Sequence, residues 1–212
     1  MTRTEMVGAD LAAGAAYQLL TALVVPRPIG WITTRSVDGI DNIAPFSFSG
    51  VVSSAPPMVM YSTVGWKDSS RNARDTGEFI FHLASADLID QVNLTAVDYP
   101  ATVDEFRAVG LTKESAQSVR PPRIAESPAL MECSVVEVVE HGNCVMVIGE
   151  VNRFAIADDC LEDGRPQFHL LNAVGRLGGP EWALPGPIHI QPRVPYEPGM
   201  PGDEPAPAST AS

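Results

Sequence analysis

Gly65-Trp66-Lys67-Asp68-Ser69-Ser70-Arg71-Asn72 is the stretch on which the reading of this chain turns. It follows Met58-Val59-Met60-Tyr61-Ser62, a continuous apolar run of strand length, and leads into a polar stretch closed by Gly77. Phe79-Ile80-Phe81-His82-Leu83 comes next. That order predicts strand, turn, short helix, strand. The turn delivers Lys67, Ser69 and Arg71 to a helix start. First-turn amides lack carbonyl partners and carry partial positive charge, so such a position favours an anion. Lysine, arginine and serine side chains add donors. This is a candidate phosphate site made without a glycine-rich loop. The same residues also read as an exposed polar turn, because Asp68 and Ser69 are both good helix caps.

Toward the N-terminus, Pro56-Pro57 breaks the chain. Residues 40–49 and 29–36 are predicted strands, joined by the hairpin signal Asp38-Gly39. Pro26 and Pro28 end a helix over 11–23, with Asp10 its expected N-cap. The apolar stretch 11–25 has no basic leading region, contains Gln18 and lacks a small-residue cleavage pattern. It is also too short for a bilayer span. It is therefore taken as a helix feeding a strand.

Toward the C-terminus, Asp87 is the expected cap of a helix reaching Ala96. Residues 97–128 are polar and proline-marked, with a helical turn at 104–109; long connections of this kind are often lids or binding loops. Residues 130–140 and 144–157 are predicted strands around a turn at His141-Gly142-Asn143, and Gly149 marks a bulge or a close backbone approach. Strands joined by short turns, with few helices between them, point to a closed antiparallel barrel. One domain over 1–184 accounts for this pattern. Residues 185–212 hold eight prolines and cannot build a core, so the segment beyond Pro198 is expected to be extended or disordered.

A chain of 212 residues is long enough to bury both a core and a cofactor pocket. The net charge of −12, with no basic run, argues against a nucleic-acid partner, and no segment reads as a membrane span. Cys133, Cys144 and Cys160 form no CxxC pair, which fits a reducing cytoplasm and buried structural thiols. No histidine pair has metal-ligand spacing, and no metal is expected. His82, between apolar neighbours, is expected in the core, and His169 is a candidate substrate contact. Asp104, Glu105 and Glu132 are expected to be solvated. No nucleophile elbow or Walker loop is present.

Nine segments together resemble the flavin reductase-like family with its FMN-binding split barrel. They are Tyr17-Gln-Leu-Leu, Pro26-Arg-Pro-Ile-Gly-Trp31, Asn42-Ile-Ala-Pro-Phe-Ser-Phe48, Ser53-Ser-Ala-Pro-Pro-Met-Val-Met60, Lys67-Asp-Ser-Ser-Arg-Asn72, Thr76-Gly-Glu-Phe79, Pro122-Arg-Ile-Ala-Glu-Ser-Pro128, Ile148-Gly-Glu-Val151 and Gly175-Arg-Leu-Gly-Gly179. Their order is the family's, over residues 17 to 182. The resemblance implies a mainly β, six-stranded antiparallel Greek-key split barrel with flanking short helices. It also implies a homodimer holding one FMN per subunit between its chains.

The family's phosphate-contacting Lys-Asp-Thr falls on Lys67, Asp68 and Ser69, where serine keeps the hydroxyl. Arg71 and Asn72 continue that segment. Its isoalloxazine-contacting stretch falls on Phe46, Ser47, Phe48 and Ser49, with Ser53 and Ser54 following; Ser62 joins the candidate set from the next strand. Phe46 and Phe48 would cover a ring face or fill the barrel core. Many relatives carry a second aromatic and an asparagine where Ser49-Gly50 stand here, which implies more room beside the flavin. Arg27 and Arg176 are candidate phosphate contacts, with interface salt bridges as the other reading. The implied activity is an oxidoreductase in which NADH or NADPH passes a hydride to FMN N5. Reduced flavin would then reach a partner flavin-dependent monooxygenase. A flavoenzyme that keeps FMN for its own small-molecule substrate, and a non-catalytic binding protein, are the alternatives.

Overall fold

The structure is a computed structural model and describes residues 1–198 and Met200. Seven strands form one sheet: β1 Gly30–Arg35, β2 Asp41–Phe46, β3 Ser49–Ser54, β4 Pro57–Val64, β5 Glu78–Leu83, β6 Ala129–His141 and β7 Cys144–Ile156. Their order across the sheet is β2-β1-β5-β6-β7-β4-β3, with every pair antiparallel. β2 and β3 are therefore opposite edges of the sheet, yet only Ser47 and Phe48 separate them in the chain. So short a connection forces the sheet to curl until its two edges approach each other. Ser49 bridges that approach: its Oγ accepts the Gly30 amide at 3.0 Å and donates to Pro28 O at 3.0 Å.

The bend at Ser47-Phe48 splits the predicted strand 40–49, so the barrel has seven strands where six were expected. One continuous run changes hydrogen-bonding partner there and serves both edges. Hairpins join β1 to β2 at Gly39, φ 86°, and β6 to β7 at Gly142, φ 59°. Gly149 is both a bulge and a close approach: a Cβ added there would lie 2.4 Å from Phe79 Cε1.

Helix α1, Ala13–Leu23, precedes the barrel. Asp10 does not cap it. A separate 3-10 turn, Gly8–Asp10, uses the Asp10 amide on Val7 O, and the N-cap position is Ala12. Helix α2, Asp68–Thr76, crosses from β4 to β5 and ends at Gly77, whose φ of 74° suits only glycine well. Helix α3, Ile89–Leu94, is likewise not capped by Asp87, which sits inside the 3-10 turn Ala86–Leu88 and accepts from Asn172 Nδ2 at 3.0 Å. Helices α4, Glu105–Val109, and α5, Phe168–Leu171, complete the set.

Two apolar clusters form. One fills the barrel with Ile32, Tyr61, Phe79, Phe81, Cys133 and Val147. The other joins Trp31 and Ile43 to Val92, Phe106, Leu111 and Ile124, tying the 97–128 connection to the barrel wall. His82 is fully buried there, as its neighbours predicted. Its Nδ1 faces Trp31 O at 3.1 Å and its Nε2 accepts the Ile124 amide at 3.0 Å, so the ring is neutral with Nδ1 protonated. Burial lowers its pKa to about 3.

Glu132 corrects the expectation of a solvated carboxylate. It is fully buried, accepts from the Gln117 and Ser118 amides and the Ser118 hydroxyl, and pairs with Arg123 at 2.7 Å. Burial pushes its pKa up, but these bonds outweigh that and hold it below the usual range. It anchors the long connection. Cys133 and Cys160 are buried free thiols, whereas Cys144, at the open end of β7, is only half-buried.

Trp182–Ala183 pairs with Gly175–Arg176, which in turn pairs with Arg27–Pro28. Residues 185–197 form neither helix nor strand, and Ile188, Ile190 and Val194 are exposed. Residues 201–212, the rest of the predicted extension, lie outside the described residues. Among the described residues, no helix is long and apolar enough to cross a membrane.

Candidate functional site

A cavity of about 260 Å³ opens where β2, the start of α2 and the 95–99 segment converge. Lys67 occupies the N-cap position of α2. Neither Asp68 nor Ser69 caps the helix. Ser70 does so, its Oγ accepting the Lys67 amide at 2.9 Å. The first backbone bond into the helix is from Arg71 N to Lys67 O, and the Asp68 and Ser69 amides have no partner among the described residues. Lys67, Asp68 and Ser69 all line the cavity. The turn expected at Lys67–Ser69 thus leads into a helix start whose first amides are unpaired and whose residues line a cavity.

Asn42 and Glu105 form the cavity floor, and neither was singled out for the site from sequence. Glu105 is 5% exposed, against the expectation of a solvated carboxylate. Its oxygens accept from Asn42 Nδ2 at 2.7 and 2.9 Å and from the Ile43 amide at 2.7 Å. Burial raises its pKa to about 6, the Ile43 and Asn42 bonds opposing. Asn42 Oδ1 in turn accepts from Ser69 Oγ at 2.7 Å and Thr34 Oγ1 at 3.2 Å. Glu105, Asn42 and Ser69 therefore form a buried polar chain running from α4 to the start of α2. Only the Asn42-Ile-Ala-Pro-Phe-Ser-Phe48 segment hinted at it.

A second cavity of about 270 Å³ adjoins the first, with Pro45 and Ala96 in both linings. It adds Tyr17, Ser47, Arg176 and Trp182. Arg176 lies over the Trp182 ring, 4.8 Å from its centroid, and donates to Gly179 O. Phe46 lines the first cavity and stacks on buried Tyr61 at 5.2 Å. Phe48 and Ser49 line a third, largely apolar cavity with Leu20, Val24 and Met60.

The other candidates make separate contacts, although Arg27 also lines the third cavity. Arg27 is buried and spends its guanidinium on Thr21 O, Val24 O, Leu177 O and Ser47 Oγ, locking α1 and the 175–177 segment to the barrel seam. Arg71 is exposed and pairs with Asp68 at 3.3 Å. Asn72 donates to Thr34 Oγ1. Ser53 caps the β3–β4 turn by accepting the Ala55 amide, Ser54 ends β3, and Ser62 is buried in β4. His169 sits on α5, 3.4 Å from Glu162, and lines none of the three cavities. Among the described residues, no group of three or more His, Cys, Asp or Glu is placed to hold a metal ion.

A seven-stranded antiparallel barrel whose helix start opens on a wall cavity defines a split-barrel protein. Residues 22–178 match the flavin reductase like domain, and the chain belongs to the flavin reductase-like family. That places it among flavin-related oxidoreductases. An uncharacterized protein of Aquifex aeolicus is 36% identical over 181 residues, covering 82% of this chain and 92% of the relative. Nitrilotriacetate monooxygenase component B from Bacillus cereus superposes with a TM-score of 0.87 at 28% identity, over 90% of this chain and all of the other. The 2-nitrobenzoate 2-nitroreductase NbaA of Pseudomonas fluorescens gives 0.83 at 25% identity, over 91% and 96%.

Proposed function

We propose that this chain is a flavin reductase: it binds FMN at the paired cavities and reduces it with NADH or NADPH, working as a homodimer. The observation that carries this reading is a pair of adjoining cavities that share Pro45 and Ala96, with a helix start at one end. One end offers the unpaired α2 amides and Lys67; the other offers Tyr17, Ser47, Arg176 and Trp182. FMN has a phosphate for the helix start and a flat ring with a polar edge for the adjoining cavity, where Trp182 and Tyr17 can cover it. When bound, FMN supplies the hydride-accepting chemistry.

Lys67 Nζ and the Asp68 and Ser69 amides bind phosphate. The Ser69 hydroxyl is committed to Asn42, so Ser69 contributes chiefly through its amide. Pro45 and Ala96 form the boundary between the cavities, and Phe46, stacked on Tyr61, lines the first. The Arg176–Trp182 end receives the nicotinamide. No side chain is required as an acid or base. A partner monooxygenase accepting reduced flavin fits the resemblance to a monooxygenase component B. Homodimerisation is supported by exposed Leu20, Val24, Val51 and Val52 around the third cavity and β3, since a second copy would cover them.

The second reading, a flavoenzyme retaining FMN for its own organic substrate, is favoured by the room in the second cavity and the resemblance to a 2-nitroreductase. Anaerobic titration of the FMN-loaded protein with NADH and with NADPH tests the proposal. Bleaching of the flavin band by one of them is expected; absence of bleaching by both rejects the reductase reading. Lys67→Ala should weaken FMN at least tenfold and leave riboflavin nearly unchanged, because a charge-assisted bond contributes roughly 1.5–3 kcal/mol. Equal weakening of both ligands rejects the site.

A further inference from the structure

The phosphate end of the cavity is charged the wrong way for a retained dianion. Of the residues lining it, Lys67 is the sole cation, while Asp68, Asp98 and Glu105 are carboxylates. Lys67 is not waiting for a ligand either: its Nζ donates to Asp98 Oδ1 at 2.6 Å. Asp98 belongs to a different element from Lys67, the segment that follows α3 and forms the opposite wall of the cavity. The contact therefore spans the cavity's polar end.

The two sides of that contact are held differently. Lys67 sits on the helix start, with its amide bound to Ser70 Oγ. The wall segment is anchored behind Asp98: Thr95 Oγ1 accepts from Trp31 Nε1 at 2.8 Å and donates to Val92 O. The Asp98 side chain itself is 86% exposed and has no other partner among the described residues. It can leave Lys67 for solvent by rotating about its own side-chain bonds while the wall stays in place. Such an exposed pair is weak, so an incoming phosphate with two charges and three oxygens can displace it.

On this geometry, and resting on the FMN reading above, we propose that Asp98 is an intramolecular competitor for the flavin phosphate. Its carboxylate holds Lys67 in the empty site and must be displaced when a phosphomonoester enters. By re-forming the pair it promotes release, so FMN exchanges with solvent as a substrate instead of staying as a fixed group. Asp98 thus tunes how strongly the site favours FMN over riboflavin, while Lys67 and the two amides create that preference. Glu105, on the cavity floor, adds a background negative charge that Asp98 does not control.

The test is calorimetric titration of the full chain with FMN and with riboflavin, for wild type, Asp98→Asn, Asp98→Glu and Lys67→Ala, at low and high salt. Asp98→Asn should tighten FMN about three- to tenfold and slow its dissociation in stopped flow, with riboflavin unchanged. Asp98→Glu, which keeps the charge, should behave as wild type. The gain should shrink at ~1 M salt, where the Debye length falls to about 3 Å and screening is strong. If wild type prefers FMN and Lys67→Ala abolishes the preference, but Asp98→Asn leaves FMN affinity unchanged or weaker, the competitor role is refuted while the phosphate site stands. If wild type binds FMN and riboflavin equally, or Lys67→Ala leaves the preference intact, the phosphate site and the competitor role both fall.

Discussion

Replacing Asn42 by alanine is the sharpest test of how the site floor is held. The Asn42 side chain gives Glu105 two of its contacts, at 2.7 and 2.9 Å, and accepts from Ser69 and Thr34. All four residues are buried. The variant leaves the carboxylate with the Ile43 amide as its chief remaining donor from outside its own helix. Losing a bond to a charged group costs about 1.5–3 kcal/mol, and stranding the Ser69 hydroxyl adds about 1–3 kcal/mol, so a total near 3–5 kcal/mol is expected. At roughly 2–4 °C per kcal/mol for a chain of this size, the melting temperature should fall by about 6–20 °C.

The mechanism predicts a pH dependence. Glu105 has a folded pKa of about 6, above its ordinary 4.5. As pH falls, the native state takes up this proton before the unfolded state does. The buried charge therefore costs stability above pH 6, and the cost is relieved as pH falls toward 4.5. The Asn42→Ala deficit should accordingly shrink between pH 7.5 and 5. Glu105→Gln removes the charge, so Asn42→Ala should cost at least about 1 kcal/mol less in that background. Urea or thermal unfolding of the four proteins measures the cycle. A cost below about 1 kcal/mol for Asn42→Ala, or strict additivity with Glu105→Gln, would refute the view that Asn42 compensates a buried carboxylate.

Gly149→Ala places a methyl 2.4 Å from Phe79 Cε1 and 3.1 Å from Cys133 Cβ, both fully buried, so overpacking should cost about 1–3 kcal/mol in urea unfolding; an unchanged midpoint would mean that the bulge yields freely. His82 stays neutral in the fold to about pH 3 but protonates near 6.5 when unfolded, so stability should drop as pH falls below 6.5. His82→Gln should flatten that limb in thermal melts, and a parallel slope would count against the assignment. Ending the chain at Glu197 should leave melting temperature and FMN affinity unchanged, because the deleted stretch has no apolar periodicity to offset its ordering entropy, roughly 1–2 kcal/mol per residue; a clear loss would show that it is structural.

Much of the local structure was legible in the chain. The apolar run before Lys67, the turn, and Gly77 dictated strand, helix start and helix stop over 57–83, because each depends on neighbours within a few positions. Asp38-Gly39 and His141-Gly142-Asn143 marked their hairpins for the same reason. Nine ordered segments identified the family. Three features needed the tertiary structure. The bend at Ser47-Phe48 is invisible as a strand break, because only the closing sheet demands that one run serve both edges. Glu105 and Glu132 sit in stretches that look solvated, and their burial is set by partners far away: Asn42, 63 residues from Glu105, and the 117–118 amides that fold back over Glu132. Arg27 read as a phosphate contact or an interface salt bridge, yet Leu177, 150 residues along, takes part of its guanidinium. Periodicity and turn chemistry are short-range properties that a sequence states directly. Whether a charge is solvated, paired or left facing a cavity depends on groups that only the closed barrel brings together.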